Sequence, residues 1–125
     1  MKVIESDIGA FFDIDETIAL MDNIDVMHPD AIQVFRAEDG INAVIIPHEP
    51  IIQKLLEHKS RGQIIIVWSA GGYKWARAVI ETLGLANSVD YIIPKGPWSW
   101  DDKPANEFLK HCYIEPSKET RVKSE

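Results

Sequence analysis

The acidic residues Asp13 and Asp15 are the first candidates for chemistry, because they directly follow an apolar stretch that begins at Ile8. A carboxylate placed after Phe11 and Phe12 is costly to bury unless a cation or hydrogen-bond donors accompany it. A hard cation such as Mg²⁺ takes oxygen ligands, and Asp13 together with another carboxylate would supply them. Because Asp-x-Asp is also common in surface loops, the rest of the chain must decide whether this pair forms a site.

Polar side chains also follow two later apolar stretches. Ser69 comes directly after the run 63–68, and the pair Asp101–Asp102 comes after residues 98–100. In a parallel α/β sheet, ligands bind beyond the carboxyl ends of the strands, because those ends meet at one edge. We therefore expect Ser69 and the later acidic pair to converge with the first acidic pair.

The elements that position these groups are predicted from the apolar periodicity of the chain. Apolar residues at helical spacing predict one helix between Pro50 and Gly62 and another between Gly71 and Gly84. Short apolar runs predict strands at 8–14, 63–68, 91–93 and 98–100, followed by a helix at 104–111 and an edge strand at 112–114. Alternating strands and helices are typical of a parallel α/β sheet with right-handed crossovers.

Residues 21–49 interrupt this alternation. The runs 32–35 and 41–46 flank Ala37-Glu38-Asp39-Gly40, which predicts a β-hairpin with a glycine in its turn. A hairpin placed just after the first acidic pair is expected to hang over the site as a flap, with a purely structural excursion as the alternative. We expect residues 1–115 to form a single domain and the charged tail 116–125 to be disordered.

The composition argues against several classes of protein. The chain has 125 residues and a net charge of −7, so no broad nucleic-acid-binding surface is expected. No apolar run approaches the roughly 20 residues of a membrane span, and the N-terminus does not resemble a signal peptide, so no membrane association is expected. The single cysteine, Cys112, cannot form an internal disulfide, which favours a cytoplasmic location.

The ordered set of motifs resembles the haloacid dehalogenase superfamily. Its first motif, an apolar strand that ends in Asp-x-Asp-x-Thr, is matched by residues 11–17, and its second, a strand that ends in Ser or Thr, is matched at Ser69. Its third motif is a lysine, here Lys95, and its fourth is an acidic pair after a short strand, here Asp101–Asp102. The resemblance covers residues 8 to about 111. It implies a three-layer Rossmann-like parallel sheet with helices on both faces and no large cap domain.

The resemblance also implies a reaction and a role for each motif residue. The reaction is Mg²⁺-dependent hydrolysis of a phosphate monoester through an aspartyl-phosphate. Asp13 would be the nucleophile and a metal ligand, while Asp15 would be the general acid and base, and its backbone carbonyl would touch the metal. The residues that would bind the phosphate are Thr17, Ser69, Ala70 and Lys95. An acid at position 15 favours phosphate esters over halides, because an alkoxide leaving group needs a proton.

Several alternatives stay open. The family pattern favours Asp102 over Asp101 as the direct metal ligand, and either Lys103 or Lys74 is an alternative to Lys95. The expected substrate is a small phosphorylated metabolite or a nucleotide or polynucleotide phosphate end. A homo-oligomer is an option, because capless members of the family can use a neighbouring subunit as a lid. The alternatives to a phosphatase are a non-catalytic phosphate-binding module and a phosphotransferase.

Overall fold

A computed structural model describes residues 1, 3, 6, 8–96, 98–114 and 121. In this part of the chain the strands are β1 (Gly9–Asp13), β2 (Ala19–Leu20), β3 (Ile32–Arg36), β4 (Ile41–Pro47), β5 (Ile64–Ser69) and β6 (Tyr91–Pro94). The helices are α1 (Glu49–Ser60) and α2 (Tyr73–Thr82), and short 3₁₀ turns occur at Ala37–Asp39, Ala86–Ser88 and Ala105–Glu107. The predicted order of helix, strand, helix and strand from residue 49 to residue 94 is confirmed.

Both helices begin and end where the sequence carries helix signals. Pro50 lies in the first turn of α1, where a missing backbone N–H costs nothing. Gly84 follows α2 with φ +71°, a left-handed value that favours glycine at a helix end. Ile52 and Leu55 of α1 are buried three residues apart, on one side of the helix. Among the described residues, no helix has the length and apolar character needed to cross a membrane.

Strands β1, β5 and β6 form a parallel sheet in the order β1-β5-β6. Phe12 lies opposite Val67, and Val67 lies opposite Ile92. Successive side chains of a strand point to opposite faces, so these residues share one face, which we call the core face. Phe12 and Val67 are buried in one cluster with Leu55 of α1 and Val79 of α2. Since the strands are parallel, their carboxyl ends lie at the same edge.

The opposite side of the sheet, which we call the open face, carries Phe11, Ile66, Trp68 and Tyr91. Phe11 is 43% exposed, and its ring centroid lies 4.6 Å from that of Trp68. In the described part of the chain, both α1 and α2 pack into the core-face cluster. The predicted parallel α/β sheet is therefore confirmed, whereas a second helical layer on the open face is not found among the described residues.

The predictions for residues 98–114 are wrong. The described residues at 98–100 and 112–114 form no strand, and the helix expected at 104–111 is reduced to the 3₁₀ turn Ala105–Glu107. Phe108 is 54% exposed and Leu109 is 41% exposed, so neither side chain has a full packing partner. An eight-residue helix is marginal without a surface to pack on, which explains the difference. The prediction for the tail lies outside the described residues, except at Arg121.

The predicted β-hairpin is confirmed, and its contacts favour the alternative to a flap, a structural excursion. Strands β3 and β4 pair antiparallel, and Val34 and Ile45 are fully buried in the same cluster as the core face. At the tip of the hairpin, Arg36 pairs with Glu81 near the C-terminal end of α2. The carboxyl edge of the parallel sheet adjoins the other end of α2, which lies roughly 12 Å from Glu81 at 1.5 Å per residue. Buried apolar contacts therefore make the hairpin a structural element.

Asp90 connects three elements through its carboxylate. Its Oδ2 accepts a hydrogen bond from the backbone N–H of Ile65 at 2.8 Å, and its Oδ1 accepts one from Lys59 Nζ at 2.9 Å. The Ile65 hydrogen bond and then Lys59 lower the pKa of Asp90 below its ordinary value of 3.8. Asp90 therefore ties the end of α1 and the start of β5 to the entry into β6.

Replacing Asp90 with alanine is expected to lower the free energy of unfolding at neutral pH by about 1 kcal/mol, because a charge-assisted hydrogen bond and a partly solvated ion pair are lost. A carboxyl whose pKa is depressed by folding contributes stability above its unfolded value, here 3.8, and the contribution disappears as the pH falls through the folded value. Urea unfolding of wild type and variant across this pH range measures the effect.

The matched control for this experiment is Glu57→Ala, which removes an exposed carboxylate 4.0 Å from Lys54. We expect it to change stability by less than about 0.5 kcal/mol. If the difference in free energy of unfolding between wild type and the Asp90 variant does not become smaller below pH 3.8, this stabilising role of the Asp90 carboxylate is contradicted.

Candidate active site

Asp13 and Lys95 meet at the carboxyl edge of the parallel sheet. Asp13 is the last residue of β1, and Lys95 directly follows β6. Lys95 Nζ lies 3.7 Å from Asp13 Oδ1, and the backbone N–H of Lys95 donates to the carbonyl of Ser69 at 3.5 Å. Three neighbouring strands therefore bring an anion, a cation and a hydroxyl-bearing residue to one edge, as the sequence predicts.

Trp68 lies beneath Lys95 on the open face. Asp13 is the register partner of Trp68, so the two side chains share this face, and Lys95 Nζ lies 5.7 Å from the Trp68 ring centroid. An ammonium group at this distance from an indole face is attracted by the negative face of the ring. Trp68 does not face the core, because both described helices pack on the opposite side of the sheet. The Trp68 ring therefore lines the site.

The carboxyl group of Asp13 has a raised pKa. Burial is the largest cause, since it disfavours the charged form, and the nearby negative charge of Asp15 raises the pKa further. The ammonium of Lys95 and the backbone N–H of Ile14 act in the opposite direction without fully offsetting the rise. A nearby positive charge such as Lys95 therefore stabilises the ionised form of Asp13.

Asp15 lies in the turn after β1, close to Ser69. Ser69 is the last residue of β5, from which a loop leads into α2. Ser69 is 2% exposed, and its Oγ accepts a hydrogen bond from the Gly71 N–H at 3.0 Å. Asp15 Oδ1 accepts a hydrogen bond from Trp75 Nε1 at 2.6 Å. The chain turns directly after β1, where the N–H of Ile18 donates to the Ile14 carbonyl, and this turn brings Asp15 back toward the sheet edge.

Glu16 holds the turn after Asp15 in place. It has φ +66°, which is uncommon for a residue with a side chain, and its Oε1 accepts the backbone N–H groups of Met21 and Asp22 at 2.8 Å each. Arg121 pairs with its other oxygen. Burial raises the pKa of Glu16, but Arg121 and the two backbone N–H groups outweigh that effect and hold the pKa below 4.5. The turn that carries Asp15 is therefore fixed by charge-assisted hydrogen bonds.

Thr17 and Ala70, which are predicted to bind phosphate, lie in the loops on either side of the site. The Thr17 carbonyl is 2.9 Å from Nδ1 of His48, a buried residue just before α1. Ala70 is exposed in the turn between β5 and α2. His48 therefore connects the first site loop to α1, a contact that the sequence does not reveal.

Asp101 and Asp102, which are predicted to converge with Asp13, do not form a metal-binding group with it among the described residues. Both acidic residues are exposed, and Asp101 Oδ1 accepts the backbone N–H of Lys103 in a local turn. The physical reason is that the strand expected at 98–100 is not formed, so no ladder of backbone hydrogen bonds holds the pair at the sheet edge. Throughout the described ranges, no group of three His, Cys, Asp or Glu residues is arranged to hold a metal ion.

The carboxylates at the sheet edge therefore do not make a complete Mg²⁺ site. Asp13 already faces the ammonium of Lys95, and one oxygen of Asp15 is occupied by the Trp75 indole. Mg²⁺ prefers near-octahedral oxygen coordination and is held by carboxylates together with waters and substrate phosphate. Among the described residues, the carboxylates at this edge therefore face one fixed cation and do not form a group that could hold a metal ion.

Of the three candidate lysines, Lys95 is the one placed at Asp13. Lys74 and Lys103 are exposed, and in the part of the chain that the structure describes neither has an ion pair with Asp13. Trp75 is predicted only as an apolar residue of α2, and its contact with Asp15 is missed. Its position in the first turn of a helix that follows the Ser69 loop is the one signal that would have suggested it.

No known protein family, curated protein or solved structure matches the chain.

Proposed function

We propose that the chain is a phosphatase of the haloacid dehalogenase type, in which Asp13 attacks the phosphorus of a phosphate monoester. The observation that carries the proposal is the distance of 3.7 Å between Asp13 Oδ1 and Lys95 Nζ at the carboxyl ends of neighbouring parallel strands. A nucleophilic carboxylate beside a fixed ammonium is suited to phosphoryl transfer, which needs chiefly positioning and stabilisation of negative charge. The nearby Asp15 carboxyl group and the Ser69 hydroxyl group support the same proposal.

The reaction has two steps. In the first, an oxygen of Asp13 bonds to phosphorus while the phosphorus–oxygen bond of the ester breaks, and Asp15 gives its proton to the departing alkoxide. In the second, Asp15 takes a proton from a water molecule as that water attacks the aspartyl-phosphate, which releases inorganic phosphate and restores Asp13. Lys95 balances the negative charge in both steps, and Ser69 donates its hydroxyl to a phosphate oxygen.

The proposed substrate is a small phosphorylated metabolite or a nucleotide or polynucleotide phosphate end, in the cytoplasm. Mg²⁺ is part of the proposal, with Asp102 as the favoured further ligand and Asp101 beside it. Because the described residues hold no group of three His, Cys, Asp or Glu residues arranged for a metal ion, binding of Mg²⁺ by Asp13 with Asp102 requires the segment 98–114 to change its position.

Asp13→Asn is expected to abolish turnover, because an amide cannot form the phosphoenzyme at a useful rate. The measurement is release of inorganic phosphate from an aryl phosphate and from a panel of phosphorylated metabolites, nucleotides and 3′-phosphorylated oligonucleotides, with and without Mg²⁺. Asp30→Asn, at a carboxylate that is 75% exposed, is the matched control and should keep full activity.

Full activity of the Asp13 variant would contradict the mechanism. Phosphate binding without turnover on the whole panel would favour a non-catalytic binding module, and transfer of phosphate to an added acceptor faster than to water would favour a phosphotransferase.

Lys95→Met is expected to lower kcat/KM by about 10²–10³-fold, the usual cost of losing one group that stabilises transition-state charge. Since Lys95 lowers the pKa of Asp13, its removal should also shift the acidic limb of the pH–rate profile to higher pH. The controls Lys74→Met and Lys103→Met remove exposed ammonium groups and should stay close to wild type. An equal loss at Lys74 or Lys103 would assign the role to that lysine instead.

The same proposal includes docking of residues 98–114 on the open face. This segment follows the end of β6 and carries the exposed apolar side chains of Phe108 and Leu109, while Phe11 on the open face is itself 43% exposed. Burial of both apolar surfaces against each other would stabilise a helix that is marginal alone. It would also supply the second helical layer and carry Asp102 toward Asp13.

Cys112, the single cysteine of the chain, is exposed and reports on this docking. We expect MgCl₂ with inorganic phosphate to slow the reaction of Cys112 with a maleimide dye by roughly threefold or more, because the docked segment is protected from solvent. Asp102→Asn should remove the protection, and Asp30→Asn should keep it. A labelling rate that does not change with Mg²⁺ and phosphate would contradict docking.

A further inference from the structure

The hydrogen bond from Trp75 to Asp15 is the closest side-chain contact of the proposed acid. Trp75 Nε1 lies 2.6 Å from Asp15 Oδ1, although 60 positions separate the two residues in the chain. Trp75 belongs to the first turn of α2, and its ring also packs against the core cluster. The indole is therefore held by the body of the protein and not by the loop that carries Asp15.

Gly71 makes this approach possible. A Cβ atom added at Gly71 would lie 3.1 Å from Trp75 Cδ1, 3.3 Å from Ser69 Oγ and 3.7 Å from Asp15 Oδ2. The first of these distances is shorter than an ordinary contact, so a larger residue would push the indole or the serine away. Trp75, Ser69 and Asp15 therefore converge on the space beside Gly71, which has no side chain.

We propose that Trp75 is a positioning residue that selects which oxygen of Asp15 exchanges protons with the substrate; this rests on the proposed phosphatase function. An indole N–H is a donor only, so Asp15 Oδ1 must act as an acceptor toward it. The proton that Asp15 gives to the leaving group is then carried on Oδ2. Trp75 also fixes the carboxyl plane, so Asp15 is aligned before the substrate binds.

Orientation of this kind changes the chemical step more than it changes substrate binding. A misplaced catalytic group lowers the rate because the bound substrate reaches the reactive geometry less often. A shift of about 1 Å lowers the rate by up to 10²-fold. Trp75 is half-buried and its ring packs against the core cluster, so we expect removal of its N–H to leave Lys95 and Ser69 in place. The expected signature is a fall in kcat with little change in KM.

The first test compares Trp75→Phe with Tyr73→Phe. Trp75→Phe keeps an aromatic ring and removes the N–H, and it should lower kcat by about 10- to 100-fold while KM stays within roughly threefold. Tyr73→Phe removes a polar donor from the same turn of α2, at an exposed position, and should have wild-type kinetics. Gly71→Ala should reproduce the loss of kcat, because its Cβ displaces the indole. An unchanged kcat in Trp75→Phe would overturn the proposal.

The second test does not depend on turnover. The chain has four tryptophans, and their indole N–H resonances can be assigned by substitution in a nitrogen-15 NMR spectrum. Asp15→Asn replaces a charged acceptor by a neutral one, so the Trp75 indole proton should move upfield and exchange faster with solvent, while the other indole resonances stay in place. An unmoved Trp75 resonance would overturn the contact itself. If the wild-type protein has no turnover but Asp15→Asn still shifts the Trp75 resonance, the phosphatase proposal is contradicted. Trp75 then remains the group that orients Asp15.

Discussion

The structure depends on the parallel register of β1, β5 and β6, which is set by burial of one face of the sheet. Phe12 and Val67 are register partners, and both pack into the cluster formed with α1 and α2. Because side chains alternate along a strand, a slip of one residue would place Asp13 in the core and Phe12 on the open face. Apolar burial of Phe12 therefore decides that the Asp13 carboxylate points to the side where Lys95 can meet it.

Burial near the sheet edge creates an electrostatic cost that Lys95 partly offsets. The raised pKa of Asp13 arises mainly from burial, and Asp15 adds to it, so a second positive group would be stabilised there. Among the described residues, this edge holds the carboxyl groups of Asp13 and Asp15 and the ammonium group of Lys95, but no third carboxylate arranged with them to hold a metal ion. A bound phosphate would add further negative charge at this edge, so a cation there would be stabilised further.

Helix α2 is held at both ends by groups from other elements. At its C-terminal end Glu81 pairs with Arg36 of the hairpin, and at its N-terminal end Trp75 donates to Asp15. Val79 between them is fully buried in the core. The hairpin therefore supports the site from a distance by fixing α2, although it does not cover the site. This arrangement couples the packing of a structural insertion to the orientation of a reactive carboxyl group.

The sequence by itself determined the parallel α/β sheet, the hairpin, and the placement of Asp13, Ser69 and Lys95 at strand ends. These features follow from local periodicity and from glycine and proline signals, which act over a few residues. Only the tertiary structure decided that Trp68 and Trp75 belong to the site, that both described helices share one face, and that Asp101 and Asp102 are exposed in a segment without a strand. Those outcomes depend on contacts between distant parts of the chain, such as the 60-residue separation of Asp15 and Trp75, and on whether a short apolar segment finds a surface to pack on.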